Sequence, residues 1–386
     1  MKRVLTPDSS CASPAQLVDP TFSADLIDWQ KAHGRHSLPW QNTRDAYRIW
    51  LSEIMLQQTQ VAAVIPYYLK FLQRFPTIDA LAAAPAEEVM AHWSGLGYYS
   101  RARNLHRCAQ QVVAQHGGVF SPDPVILAEL PGIGRSTAAA ISAFSYGTRA
   151  AILDGNVKRV FARVFGIDSY PGEKKTEDLL WRRAVALLPQ SDLQSYTQGL
   201  MDLGATLCTR SKPDCARCPL ALRCVALATG RVAELPIRKP KKAMPQKYVV
   251  MLVVTVGEQV MLEQRPDHGI WGGLLSLPEL DGFSDSAPEA AHAQTVRQLE
   301  EVTIRHRLAS FGEVANCEQL QPFSHGFTHF KLHVTSYRVR LSKRHALAGQ
   351  LPQVWIDSAR LAEAPLPAPV KKLLLGLLCR DDLLAG

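Results

Sequence analysis

Long apolar runs are missing from this chain of 386 residues. None approaches the ~20 residues that a membrane-spanning helix needs, which argues against a membrane protein. Residues 1–20 lack the apolar core of a signal peptide and read as a flexible N-terminal tail, which argues against secretion. Charge is sparse, at 20% against 47% hydrophobic residues, as in globular proteins and unlike disordered ones. Acidic residues are the scarcer sign, 35 against 43 basic, for a net charge of +8. Residues 1–230 hold 24 basic and 19 acidic residues, 231–248 hold six and one, and 249–386 hold 13 and 15. The excess in the first part and the short connector suits a polyanionic partner, although a plain solvated surface fits the same numbers. Cysteine is thinly spread apart from one cluster, with Cys11, Cys108, Cys317 and Cys379 standing alone. Scattered thiols without a secretion signal point to a reducing cytosol.

Strand-like alternation is nearly absent from Phe22 to Ala228. Apolar residues there recur at three and four spacing, and prolines such as Pro66, Pro76, Pro85, Pro122 and Pro131 cut the stretch into several helices. The length predicts two domains. From Arg231 the character changes. Leu235 to Pro245 carries three prolines and four basic residues and predicts an extended linker over 231–247. Tyr248–Val256 and Gln259–Gln264 read as strands around a Gly257-Glu258 turn, 287–301 as a helix, and the alternation over 329–340 as a further strand. The second half is therefore mixed α and β.

Five segments carry chemistry. Cys208, Cys215, Cys218 and Cys224 fall within 17 residues as C-x6-C-x2-C-x5-C. Four thiolates so spaced suit tetrahedral zinc or a [4Fe–4S] cluster, and only Cys215 and Cys218 form the short pair that zinc ribbons use twice. Arg210 and Lys212 make the first loop of this group basic. Leu130-Pro131-Gly132-Ile133-Gly134-Arg135-Ser136 predicts a tight hairpin between helices whose amides suit a phosphate; a plain helical turn is the simpler alternative. Asp154 opens a helix. It reads as an N-cap, and an N-cap carboxylate is held ionised beside helix amides, as catalysis at a breaking glycosidic bond would require. Glu53 is a lone carboxylate among Ile49, Trp50, Leu51, Ile54 and Leu56. Facing inward it keeps a proton to donate, and facing outward it is an ordinary surface Glu. The run Gln57-Gln58-Thr59 is polar enough to enter a base stack. In Gly95 to Asn104, Tyr98 can stack on a base and Arg101 and Arg103 can meet phosphate, or the tyrosines can simply fill a turn.

In this order the segments resemble the helix-hairpin-helix DNA glycosylases, closely the MutY-type adenine DNA glycosylases. Leu38-Pro39-Trp40, Ser52 to Val61, Gly95 to Asn104, Ile152 to Val160 and Met201 to Pro213 carry the resemblance. It implies a multidomain protein, with an all-α helix-hairpin-helix glycosylase domain and its iron–sulfur cluster loop followed by an α+β Nudix-like domain. The boundaries expected are 21–230 for the helical domain, 231–247 for the linker and 248–386 for the Nudix-like domain. A six-helix barrel would occupy about 44–150, and 21–43 with 151–230 would form the cluster part.

The resemblance implies hydrolysis of the N-glycosidic bond of adenine opposite 8-oxoguanine or guanine in duplex DNA. Glu53 and Asp154 would be catalytic, with Asn156 and Gln198 arranging the pocket. Trp40, Gln57, Thr59, Leu96, Arg101, Gly132, Gly134 and Ser136 would face DNA or base, and Gln58 and Tyr98 would act as wedges. The four clustered cysteines would hold a [4Fe–4S] cluster. Ser136 stands where glycosylase–lyases carry a nucleophilic Lys, which implies a monofunctional enzyme without strong lyase activity. Phe327, Thr328 and His329 resemble the lesion-reading loop, with Thr328 in place of the usual Ser. Glu300-Glu301 lacks the full acidic array of a Nudix hydrolase, so pyrophosphohydrolysis is disfavoured. The resemblance further implies a monomer in a bacterial-type, nucleoid-associated cytoplasmic setting, with the linker available to repair or replication proteins. A glycosylase for another mismatch and a non-enzymatic lesion sensor are the competing readings.

Overall fold

The structure, a computed structural model, describes residues 17, 19–239, 243–266, 268–280, 282, 284–285, 293–345 and 353–378. Contacts divide the chain into two compact units, Met1–Ala83 with Asn104–Pro240 and Ala84–Arg103 with Lys241–Gly386. Residues 84–103 thus group with the second unit, whereas the sequence pattern alone keeps them in the helical part.

The helices of the first half are α1 (Pro20–His33), α2 (Ala46–Leu56), α3 (Val61–Arg74), α4 (Ile78–Ala83), α5 (Ala86–Trp93), α6 (Ser100–His116), α7 (Pro124–Ala128), α8 (Arg135–Tyr146), α9 (Gly155–Val164), α10 (Lys174–Ala186), α11 (Leu193–Asp202) and α12 (Val225–Ala228). Helix α1 starts where Asp19 accepts from the Thr21 and Phe22 amides, with Pro20 in the first turn. In α2, capped by Asp45, Tyr47, Ile49, Trp50, Leu51, Ser52, Ile54 and Met55 are all buried, so nearly every side meets protein. It packs on the alanine-rich α8, which ends at left-handed Gly147. A second core joins α1 to α9, α10 and α11 through Phe22, Leu26, Val160, Phe161, Leu180 and Leu200.

The second unit holds a seven-stranded sheet. Its strands are β1 (Gln246–Val256), β2 (Gln259–Gln264), β3 (Leu275–Ser276), β4 (Gly312–Gln319), β5 (Phe323–Gly326), β6 (Lys331–Arg344) and β7 (Gln353–Asp357). β1 runs parallel to β6 and antiparallel to β2, and β5 and β6 form a hairpin. The helices are α13 (Ala293–Leu308) and α14 (Ala368–Leu378). The expected helix over 287–301 lies at Ala293–Leu308, and 286–292 fall outside the described residues. The strand expected from 329 begins at Lys331, because the Phe327 N–H donates to the Phe330 carbonyl at 2.9 Å and closes a turn. Among the described residues no helix is long and apolar enough to cross a membrane.

Phe161 is fully buried and meets Phe22 and Phe165 edge-on, at 5.9 and 5.7 Å. Phe161→Ala is expected to cost about 3–5 kcal/mol in denaturant unfolding. A loss below about 1 kcal/mol would mean that α1 is not held by this core.

Candidate active site

Glu53 sits on α2 at an open cavity of about 500 Å³ in the first unit, with Arg35, Trp40, Ile49, Leu56 and Gln198 among its lining residues. The apolar faces that bury α2 leave this carboxyl little water. Burial, with the nearby Asp154 carboxylate adding to it, pushes the Glu53 pKa up to about 8. The group therefore keeps its proton at neutral pH.

Asp154 caps α9, accepting from the Val157 N–H at 2.8 Å. Its pKa is raised, because burial outweighs the hydrogen bonds from Val157 and Asn156 and the Arg159 charge, all of which pull it down. The cap expected from the sequence forms, and burial sets the direction of the shift. The carboxyls are close enough for Asp154 to raise Glu53, and two such groups share one proton more readily than none. The cap hydrogen bonds and the Arg159 charge favour the anion on Asp154, so the proton resides on Glu53.

Neighbouring groups fix these two. Ser136 accepts from the Leu153 N–H at 2.9 Å, so its hydroxyl oxygen secures the segment entering Asp154. Arg159 donates to Asn156 Oδ1 at 2.8 Å and to the carbonyls of Gly204 and Cys208 at 2.7 and 2.8 Å. Gln198 donates to Asp202 Oδ1 at 2.8 Å, and Asp202, 1% exposed, also accepts from Arg35 Nε at 2.6 Å. The sequence reading missed Arg159, Asp202 and Arg35. Spacing held a signal for two of them, since Arg159 lies one turn after Asn156 and Asp202 one turn after Gln198.

The hairpin forms as expected. Gly132 is left-handed at φ 80°, and a Cβ there would come within 2.9 Å of the Asn104 Cβ. Gly134 begins α8 with no side-chain cap, which leaves first-turn amides for an anion. Gln57 Nε2 reaches the Gly132 carbonyl at 3.5 Å, and the Thr59 hydroxyl lies 3.4 Å from the Gln57 carbonyl. Gln58, exposed, has φ 59°. Trp40 packs edge-on against Tyr68 at 5.4 Å.

In the second unit Tyr98 is 43% exposed with φ 51°, a strained conformation for a bulky residue that presents its ring outward. Two expectations in this loop are corrected. Arg101 is buried, donates to the Gly97 carbonyl at 3.1 Å and lies over the Trp93 and Tyr98 rings, so it braces the loop and does not meet phosphate. Leu96 is buried too, turned inward between left-handed Gly95 and Gly97. Ser94 donates to the Leu366 carbonyl and Arg103 to that of Gly272. Thr328 and His329 are exposed at the tip of the β5–β6 hairpin, while Phe327 stacks on Phe330 at 4.4 Å and meets His325 edge-on at 4.8 Å.

Cys208, Cys215, Cys218 and Cys224 all line one small pocket beside α9. Arg163 Nη1 lies 3.3 Å from Cys208 Sγ, the Leu220 amide faces Cys218, and the Ala226 and Leu227 amides face Cys224. Four soft donors ringed by N–H groups suit a thiolate-bound metal group. Among the described residues no three His, Cys, Asp or Glu side chains stand close enough together to hold a single metal ion. Arg210 and Lys212 are exposed.

Comparison with known proteins likewise matches the two halves of the chain to two different families. Residues 51–185 match the family described as HhH-GPD superfamily base excision DNA repair protein, and 249–376 match the NUDIX domain. A solved thermostable thymine-DNA glycosylase is similar over 54% of this chain and 96% of its own, with 30% identity and a TM-score of 0.50. The adenine DNA glycosylase of Buchnera aphidicola subsp. Acyrthosiphon pisum (strain APS) is 34% identical over 92% of this chain and 96% of its own. That of Homo sapiens is 31% identical over 91% of this chain and 73% of its own. The chain belongs to the adenine DNA glycosylase family.

The raised Glu53 pKa has a stability consequence. The unfolded chain ionises this group near 4.5 and the fold only near 8, so the fold loses stability as pH rises between them. Glu53→Gln removes that loss. Thermal melts are expected to show the variant gaining on the parent by at least ~2 °C as pH rises from 5 to 8. A gap that does not change with pH would show that Glu53 is hydrated.

Proposed function

We propose that this protein excises adenine from DNA, opposite 8-oxoguanine or guanine, by hydrolysing the N-glycosidic bond. The observation that carries the reading is a carboxyl group held neutral at a cavity, beside a second carboxyl at a helix cap. Adenine flipped from the duplex enters the cavity. Glu53 protonates the purine's five-membered ring and makes it a better leaving group. The bond breaks with oxocarbenium character, and the Asp154 carboxylate stabilises the cation. Water completes the reaction and leaves an abasic site. Ser136 carries no amine for a Schiff base, so strand cleavage is not part of the reaction.

Gln58 and Tyr98 are placed on exposed, left-handed backbone from which a side chain can enter the base stack. Gly132, Gly134, Arg210 and Lys212 are suited to phosphate contact. The exposed Thr328 hydroxyl is suited to reading the base opposite the adenine. The four cysteines would hold a [4Fe–4S] cluster, whose contribution is structural: it staples the basic loop. The basic linker would serve repair or replication proteins.

Single-turnover excision on an adenine:8-oxoguanine duplex, read after alkali, tests the reading. Activity is expected to persist below pH 8 and to fall as pH rises through about 8, where Glu53 loses its proton. Glu53→Gln is expected to lower the rate by ~10²-fold or more with duplex binding retained. An intact strand after alkali, or excision of thymine opposite guanine in its place, would overturn the substrate assignment.

Thr328→Ser is expected to keep the preference for 8-oxoguanine over guanine, and Thr328→Ala to weaken it about tenfold. Equal preference in parent and Thr328→Ala would remove the hydroxyl from lesion reading.

A further inference from the structure

The beginning of the basic linker is folded onto the first unit. The Glu234 and Leu235 amides both turn back to the Arg231 carbonyl at 3.1 Å, and Leu235 is 1% exposed. Arg231 pairs with Asp168 at 2.5 Å. Val232 lines the same pocket as the four cysteines.

One guanidinium joins this segment to the cysteines. Arg163, on α9 and 3% exposed, donates from Nε to the Leu235 carbonyl at 2.9 Å. Its Nη1 reaches Cys208 Sγ at 3.3 Å and the Thr209 carbonyl at 2.7 Å, and its Nη2 reaches the Arg210 carbonyl at 3.4 Å. A buried guanidinium is costly unless its donors are matched, and here one planar fork spans a thiol, the basic loop and the linker. A lysine, with one point charge, could not reach all of them.

We propose that Arg163 is a positioning residue that makes residues 231–235 the outer wall of the cluster cage, so that keeping the cluster and docking the start of the linker are one event. The proposal rests on the four cysteines holding a [4Fe–4S] cluster. With the cluster bound, Cys208 Sγ is fixed, Arg163 is held by it, and Leu235 stays seated. Without it, Arg163 loses one anchor and the segment from Arg231 loosens. In the other direction, displacing Val232 opens the pocket to solvent and to chelators.

The test uses the full chain as purified, with iron and sulfide assays, the absorbance near ~400 nm under chelator, and limited trypsin digestion. Arg238 is exposed and serves as the internal control, whereas Arg231 lies within the docked segment. The loaded parent is expected to be cut after Arg238 and spared after Arg231. Chelator-stripped parent and loaded Arg163→Gln are both expected to be cut after Arg231, and Arg163→Gln to lose its band about tenfold faster. Val232→Ser leaves Arg163 intact and is expected to lose its band faster as well, so it decides the matter if Arg163→Gln cannot be loaded. Unchanged band lifetime together with continued protection of Arg231 in these variants would overturn the proposal, as would a stripped parent still spared there. Protein lacking iron and sulfide would overturn the cluster reading instead, and the Arg231 cut in Arg163→Gln would still decide whether Arg163 holds the linker.

Discussion

A carboxyl group on a helix that is apolar on nearly every side cannot readily give up its proton, and the site is arranged around that constraint. Glu53 lies between Ile49, Leu56 and the fully buried turns of α2, with only the cavity offering water. The same helix must therefore satisfy two demands. It must pack tightly enough to exclude solvent, and it must leave one face open to the cavity. The exit from α2 into left-handed Gln58 meets both, because the chain turns away just beyond Leu56.

Asp154 sits in an environment of opposing effects. Burial raises its pKa, so amides and the Arg159 charge act against desolvation without fully cancelling it. Arg159 has further duties, since its guanidinium also takes the Gly204 and Cys208 carbonyls. The helix that presents Asp154 is thereby fastened to the chain entering the cysteine loop. Gly204 is required at that junction, because a Cβ would come within 2.6 Å of the Asn156 Cβ. The Asp154 cap, the Arg159 hydrogen bonds and the cysteine pocket meet within the few turns of α9.

Much of this was legible from residues. Glu53 stood out as one carboxylate in an apolar helix, and Asp154 as a cap before an amphipathic one. Strand β2 falls at the expected residues because its turn is marked by Gly257-Glu258. The cysteine spacing marked four thiols as a group, and all four line one pocket. Part of what stayed hidden has one physical cause, the use of backbone carbonyls as partners. Arg101, Arg103, Arg159 and Arg163 all end on carbonyl oxygens, and a carbonyl leaves no mark in the sequence. An arginine in a glycine-rich loop therefore looked like a phosphate ligand at Arg101, where it is a brace. The direction of the Asp154 shift was hidden for another reason: it is a balance of opposing effects that only the folded surroundings bring together.

The segment 84–103 leaves the first unit and returns to it, tied within the second unit through Ser94 to Leu366 and Arg103 to Gly272. The second unit is therefore assembled from two stretches that are distant in the gene. A cut at the linker would not release a complete module, because the loop that carries Tyr98 would stay behind, parted from the Leu366 and Gly272 carbonyls. Recombination that exchanges the C-terminal half between relatives would have to preserve those two carbonyl anchors, or carry the loop along with it.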